Sequence, residues 1–441
     1  MTEIAPFQAL RYNPHQISFI SRVTAPPYDV IDEDEVEKLH ARDPNNVIRL
    51  ILGKHSDEPR DEIAYDKAGR QLEVWRQQDV IVRDDDPSIY VLQQQFDVGE
   101  ERIIRRGFIS AVRLEEFGEG SIMPHEQTMA GPKEDRFRLM KSCKAMLSQV
   151  FGFYSDEDGR ADALLDELVR QPALYEYRDQ SGIVNCLWKV SDPEAIKRLA
   201  DMLRKEVTVI ADGHHRYETA LRYRSEMRDP DAAPGDAPED YVPMFCVSVK
   251  NPGLVVLPTH RLVKAPGEFD AEAFREKISE RFDVETEDVP GATHLEDLFS
   301  PYQEQGDCIG CYLRGQQLLI LRPHKNVLDD VADEYSEAMR KLAVAQLHRG
   351  IVEPCFDVPT EAGSAHERLS FTQDVENMFW SVESGRYDAA FLLPSTQPAQ
   401  VLEIASGGER MPPKSTYFYP KIPSGLVFYP YEGRHTPKVP E

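Results

Sequence analysis

Asp212-Gly213-His214-His215-Arg216 puts a carboxylate, a glycine, two imidazoles and a guanidinium on five consecutive positions. These are the residue types of an anion site. A planar guanidinium forks onto phosphate oxygens, glycine lets the backbone approach a ligand or take positive φ, and the carboxylate and imidazoles can move protons. The β-branched run Val207 to Ile210 before the turn, and Tyr217, Ala220, Leu221 and Met227 after it, predict strand, turn and helix. The turn then falls at a helix N-terminus, where unpaired N–H groups and the helix dipole favour an anion. In the plainer alternative Asp212 caps the helix and the histidines fill a polar corner. A metal set of Asp212, His214 or His215 and His125 is disfavoured, because adjacent histidines do not share a helix face and Arg216 would repel the cation.

Met123-Pro124-His125-Glu126-Gln127-Thr128 is followed by Lys133, Asp135 and Arg136. It resembles the start of HExxH, but Met129 stands where a second histidine is required, and Gly131-Pro132 break a helix there. What remains suits a general base or a magnesium ligand, and equally a solvated loop. The stretch Gly408 to Ser415 has the spacing of a phosphate loop with Pro413 in place of the second glycine, so a true phosphate loop is rejected. Lys414, Ser415, Thr416 and Lys421 nonetheless thread polar groups through an aromatic segment, as ligand contacts or as lysines lying over packed tyrosines. Tyr28, in Ala25-Pro26-Pro27-Tyr28-Asp29-Val30, and His260 and Arg261, in Pro258-Thr259-His260-Arg261, sit in turns that could line a cleft.

The elements that must carry these residues read as mixed α and β. Ser88 to Phe96 and Arg102 to Leu114 predict an antiparallel hairpin about Asp97-Val98-Gly99. DEIAYDKAGRQLEVWRQQ, KEDRFRLMKSCKAMLSQVF, DPEAIKRLADMLRKE and, later, SEAMRKLAVAQLHRGIV predict helices. CIGCYLRGQQLLILR predicts a hairpin and Asp388 to Pro394 a buried strand. We expect an N-terminal mixed region over residues 1–155, a phosphate-binding core over 156–265 with a mobile loop at 228–240, and a further α/β domain over 266–441 ending in a Pro- and Tyr-rich tail. The 441 residues carry 51 Lys+Arg against 77 Asp+Glu, a net charge of -26, which argues against a nucleic-acid binder. The six cysteines read as small hydrophobes, Cys308 and Cys311 included. No apolar run is long enough to span a bilayer and the start lacks a leader pattern, so the chain is expected to be cytoplasmic and not membrane-bound.

PFQAL, APPYDVI, Asn46-Val47-Ile48-Arg49, IMPHEQT with a following Asp-Arg, IADGHHRYETAL, LPTHR and MPPKSTYFYPK occur here in one order. Together they resemble a widespread bacterial and archaeal protein family without an assigned activity, over nearly the whole chain. The Asp212 to Arg216 turn is similar to the phosphate-binding turn of the ParB/sulfiredoxin-like superfamily, which includes CTP-hydrolysing ParB clamps, sulfiredoxins and free-serine kinases. That resemblance implies a ParB/sulfiredoxin-like core in which Gly213, His214, His215 and Arg216 hold nucleotide phosphates and Glu126 is the base. It implies a nucleotide, ATP or ADP, with Mg²⁺ through Glu126 or Asp212, and a small-molecule substrate such as free serine. Among the other site residues, Asp212 and His215 are expected to be catalytic, Lys414 and Ser415 to bind the nucleotide, and His125, Thr128, Arg136, Tyr28, His260 and Arg261 to bind substrate. Sulfiredoxin's cysteine is a histidine here, which argues against sulfinic-acid reduction. The alternatives are a non-catalytic nucleotide-binding regulator and a metal-dependent phosphoesterase; the oligomeric state is left open.

Overall fold

The computed structural model describes residues 1–52, 62–126, 131–156, 158–303, 308–325, 327–331, 333–360, 367–432 and 438. Thr128, an expected substrate contact, lies outside them. The chain forms two compact units, one of Met1–Pro124, Ala130–Leu254 and Pro420–Glu441, the other of His125–Met129 and Val255–Tyr419. This division differs from the expected 1–155, 156–265 and 266–441. The strands on both sides of residue 155 pair with one another, so the first two expected regions share one sheet.

The first unit is built on a nine-stranded sheet. Its strands are β1 (Ile4–Ala5), β2 (Ile89–Val98), β3 (Glu101–Arg113), β4 (Ile122–Pro124), β5 (Val150–Tyr154), β6 (Tyr175–Arg178), β7 (Val184–Val190), β8 (Thr208–Asp212) and β9 (Tyr241–Ser248). The order is β4-β8-β5-β9-β3-β2-β7-β6, with β1 on β3. β8 runs parallel to β4, β9 parallel to β5, and the other pairs are antiparallel. Every residue of β9 is buried, as expected for a strand covered on both faces. The helices of this unit include α1 (Glu62–Gln77), α2 (Gly131–Cys143), α3 (Pro193–Leu203) and α4 (His214–Met227). α3 shows how the sequence sets them: Asp192 caps it by accepting from the Glu194 N–H, Pro193 opens it, and Ile196, Leu199 and Leu203 fall on its buried face. The helix expected to run on to Phe151 stops at Cys143. Lys144 takes φ 47°, outside the helical region, and the chain turns into β5.

The second unit has a six-stranded antiparallel sheet of β11 (His260–Val263), β12 (Phe282–Asp288), β13 (Ile309–Leu313), β14 (Gln317–Pro323), β15 (Leu369–Thr372) and β16 (Ala389–Leu392), in the order β12-β14-β13-β16-β11-β15. β10 (Val255–Leu257) pairs separately with β17 (Tyr417–Tyr419). Leu262, Phe299, Tyr312, Met378, Phe379 and Leu392 share a buried core. The long helix expected over Ser336 to Val352 is broken into Glu337–Arg340, Ala343–Leu347 and a π-helical turn at His348–Val352. All six cysteines are free, and Cys308 and Cys311 are buried. The 228–240 segment is tied at its base, where Arg228 donates to Asp240 Oδ1 at 2.8 Å and to the carbonyls of Ala232 and Ala233. Among the described residues no helix is long and apolar enough to cross a membrane.

Candidate functional site

The predicted strand, turn and helix are β8, Gly213 and α4. The ladder between β8 and β5 shifts register between Ile210 and Asp212, an irregularity of the kind that re-aims a side chain at a sheet end. Gly213 then takes φ 89°, and no side chain caps α4. Asp212 is therefore not the cap of the plainer alternative. Its Oδ2 accepts from Arg216 at 2.9 Å, and its Oδ1 lies 3.3 Å from the Lys421 ammonium. Arg216 also donates to the carbonyl of Gln149 and is only 6% exposed. A Cβ at position 213 would stand 2.7 Å from Arg216 Nε, so glycine is required by the backbone angle and by the guanidinium beside it. Burial pushes the Asp212 carboxyl up, but Lys421, Arg216 and His214 outweigh it and hold the group well below the usual carboxylate range. One carboxylate shared by two cations leaves the cluster net positive.

Lys421 is set by its own backbone. Arg105, fully buried, donates to the carbonyl of Pro420 and to Gln94, while Gln94 Nε2 donates to the carbonyl of Lys421 at 3.4 Å. The Arg105 guanidinium lies 4.8 Å from the Phe151 ring centroid and 5.7 Å from that of Phe245. Neither Arg105 nor Gln94 is in a recognisable motif; both are polar residues inside strand patterns, and only their pairing across β2 and β3 shows their use.

Arg136, on α2, stands with its guanidinium carbon 4.0 Å from the Tyr28 ring centroid, donates to the carbonyl of Ile51 at 3.1 Å and pairs with Asp135. Asp135 in turn accepts from the Tyr65 hydroxyl at 2.7 Å. Burial raises the Tyr28 phenol above its ordinary value although Arg136 and Arg216 oppose it. Tyr28, Arg136 and Arg216 border one cavity with Leu139, Met146 and Leu147. Its volume of ≈ 30 Å³ suits a water molecule, so the body of a nucleoside would lie outside it.

The remaining expected residues form a second cluster, in the second unit. His125 Nε2 is 2.8 Å from Thr416 Oγ1, and the backbone N–H of Lys414 donates to Glu126 Oε2 at 3.3 Å. Arg261, fully buried, donates to the carbonyls of Thr259 and Lys414, the latter at 3.0 Å, and to His348 Nε2 at 3.3 Å. Burial lowers Arg261 to about 9, with Glu126 opposing. Burial and the neighbouring Arg261 lower His260 to about 3 and His348 well below its ordinary value, so both imidazoles are neutral. Buried Ser415 donates to the carbonyl of Pro412, whereas Lys414 is exposed at φ 59°. His348 had no signal in the sequence beyond its place in a helical pattern.

The structure thus sorts the expected residues into Tyr28, Arg136, Asp212, Gly213, His214, His215 and Arg216 on one unit, and His125, Glu126, His260, Arg261, Lys414 and Ser415 on the other. Neither group fits a magnesium ion. Both Asp212 oxygens face cations, Glu126 lies near Arg261, and among the described residues no three His, Cys, Asp or Glu side chains form a metal-holding group.

Among solved structures the chain is similar to a conserved hypothetical protein from Pyrococcus furiosus, at 12% identity over 70% of this chain and 91% of that one, with a TM-score of 0.32. It is similar to a free serine kinase in complex with AMP, at 11% identity over 70% and 88%, with a TM-score of 0.31. It is also similar to SbnI with a C-terminal truncation from Staphylococcus aureus, at 10% identity over 72% and 86%, with a TM-score of 0.31. No curated protein matches the sequence. The model of the family described as "Protein of unknown function (DUF1015)" matches residues 4–347, most of the chain, and the protein belongs to that family.

Proposed function

We propose that the protein is a nucleotide-dependent phosphotransferase acting on the hydroxyl of a small molecule, with the phosphates held at the Asp212 to Arg216 turn. The observation that carries the reading is the Asp212 carboxylate bridged by Arg216 and Lys421 at the uncapped start of α4. A phosphate arriving there meets two cations already fixed in place, and phosphoryl transfer depends mainly on such positioning and charge neutralisation. Arg216 supplies the planar fork and Lys421 a point charge. Asp212, kept ionised by both, holds the two cations in place; a carboxyl held so far down is a weak proton acceptor, so its part here is positioning. The resemblance to free-serine kinases makes L-serine the first acceptor to try.

The test is product formation from ATP or ADP and L-serine by the wild type, Arg216→Ala and Asp212→Asn. Phosphoserine formed by the wild type and lost in both variants supports the reading. Glu126→Gln asks separately whether the carboxylate of the second unit takes part. Unchanged turnover in both Arg216→Ala and Glu126→Gln overturns the assignment, and nucleotide binding without any product replaces it with a non-catalytic nucleotide-binding regulator.

A further inference from the structure

The second unit carries a cleft far larger than the cavity beside Arg216, with a volume of ≈ 730 Å³, in the range of small-molecule sites. Four cationic side chains line it, Arg322, Lys325, Arg340 and Lys341, against two carboxylates, Asp329 and Glu337. The local balance is 4 minus 2, or +2, in a chain whose net charge is -26. A positive cleft in an acidic protein concentrates small anions at one place while the remaining surface repels them.

The state of two of these cations favours a ligand over a network of internal ion pairs. Arg340 is only 32% exposed, yet its side chain makes no hydrogen bond among the described residues, and its Nε is buried without a partner. Its one ion pair among the described residues, with Asp329 at 3.7 Å, is longer than a hydrogen bond. A guanidinium carries five donors in a fixed fork, and here an acceptor is wanting. Lys325, exposed at the same cleft, has neither an ion pair nor a hydrogen bond among the described residues. Lys341, by contrast, is held by Glu337 at 2.6 Å. Buried Val327 and Leu328 give the cleft an apolar wall, and Gln346, whose amide donates to the Arg340 carbonyl at 3.0 Å, holds the end of the Glu337–Arg340 helix in place.

We propose that this cleft binds a small organic polyanion, with phosphate or carboxylate groups seated on Arg340 and Lys325 and its body against Val327 and Leu328. The site is separate from the Asp212 to Arg216 turn and does not depend on the function assigned there. The full-length Arg216→Ala chain, in which that turn is disabled, is the parent for the test, titrated calorimetrically with pyrophosphate and with citrate. Binding of pyrophosphate alone identifies a phosphorylated ligand, and binding of citrate a carboxylate one. Adding Arg340→Gln and Lys325→Gln, which keep polar side chains at a half-buried and an exposed position, is expected to weaken the bound probe by about tenfold or more, the loss of a charge-assisted contact. Asp329→Asn should instead tighten it, a gain that misfolding would not produce. The proposal is overturned if neither probe binds the parent, or if the probe binds equally well after both glutamine substitutions.

Discussion

The Lys421 ammonium stands 3.3 Å from Asp212 Oδ1, opposite the oxygen that Arg216 holds at 2.9 Å. A lysine from the C-terminal segment thus completes a pair formed between the end of β8 and the first turn of α4. Removing it should cost in two ways. Lys421→Met is expected to destabilise the chain by about 1–3 kcal/mol, because a largely buried carboxylate loses one charged partner, and to weaken phosphate binding. Denaturant unfolding and nucleotide titration of the variant check both.

The same pair fixes a pH dependence. The folded carboxyl of Asp212 lies below its unfolded value, so its contribution is complete above about pH 4, the unfolded carboxylate value, and is lost as pH falls toward the folded one. In Lys421→Met the folded value rises and the contribution shrinks, so the loss begins near the same pH but is complete at a higher one. The unfolding free energies of the two chains should therefore differ by a constant amount above about pH 4 and converge only as the pH falls from there toward the folded values.

Gly213→Ala places a Cβ 2.7 Å from Arg216 Nε at a residue with φ 89°. The backbone strain alone is worth about 1–2 kcal/mol, and the guanidinium must move. The variant is expected to remain folded at a lowered melting temperature and to lose nucleotide binding to the extent that Arg216→Ala does. Equal affinity in Gly213→Ala and wild type would mean that the guanidinium position is immaterial.

Gln94→Leu tests the seat of Lys421. Gln94 and Arg105 hold the carbonyls of Lys421 and Pro420, so loosening them should act through Lys421. Gln94→Leu is expected to weaken phosphate binding in the wild type and to add nothing in Lys421→Met, a non-additive cycle read by titration calorimetry. Additive losses would assign Gln94 a purely structural part.

The second unit should be acid-sensitive through His260 and His348. Both have folded values depressed below the unfolded histidine value, His260 to about 3. Below about pH 6.5 the unfolded chain takes up protons that the folded one refuses, so stability falls by up to about 1.4 kcal/mol per pH unit for each histidine. Urea denaturation at pH 7.5, 6 and 5, followed by amide hydrogen exchange of the buried strands β11 and β16, checks the direction.

Local signals carried much of this from the sequence. The β-branched run and helical spacing around residues 207–227 give β8 and α4, and the strand patterns expected over 88–114 and 308–322 form the β2–β3 and β13–β14 hairpins. Contacts between distant segments were not legible. Nothing near Lys421 marks it as the partner of Asp212, and Gln94 and Arg105 look like ordinary strand residues until register places them together. The expected helices over 133–151 and 336–352 failed for a related reason: apolar spacing persists through Lys144 and the π-turn at His348, while backbone angle and tertiary packing end the helices.

The most direct test of the central claim is calorimetric titration of ATP into the wild type and Arg216→Ala. A binding step is expected in the wild type and should be absent or weakened by about tenfold or more in the variant, as loss of a charge-assisted contact requires. Identical binding by both chains, or no binding by the wild type, would contradict a phosphate site at the Asp212 to Arg216 turn.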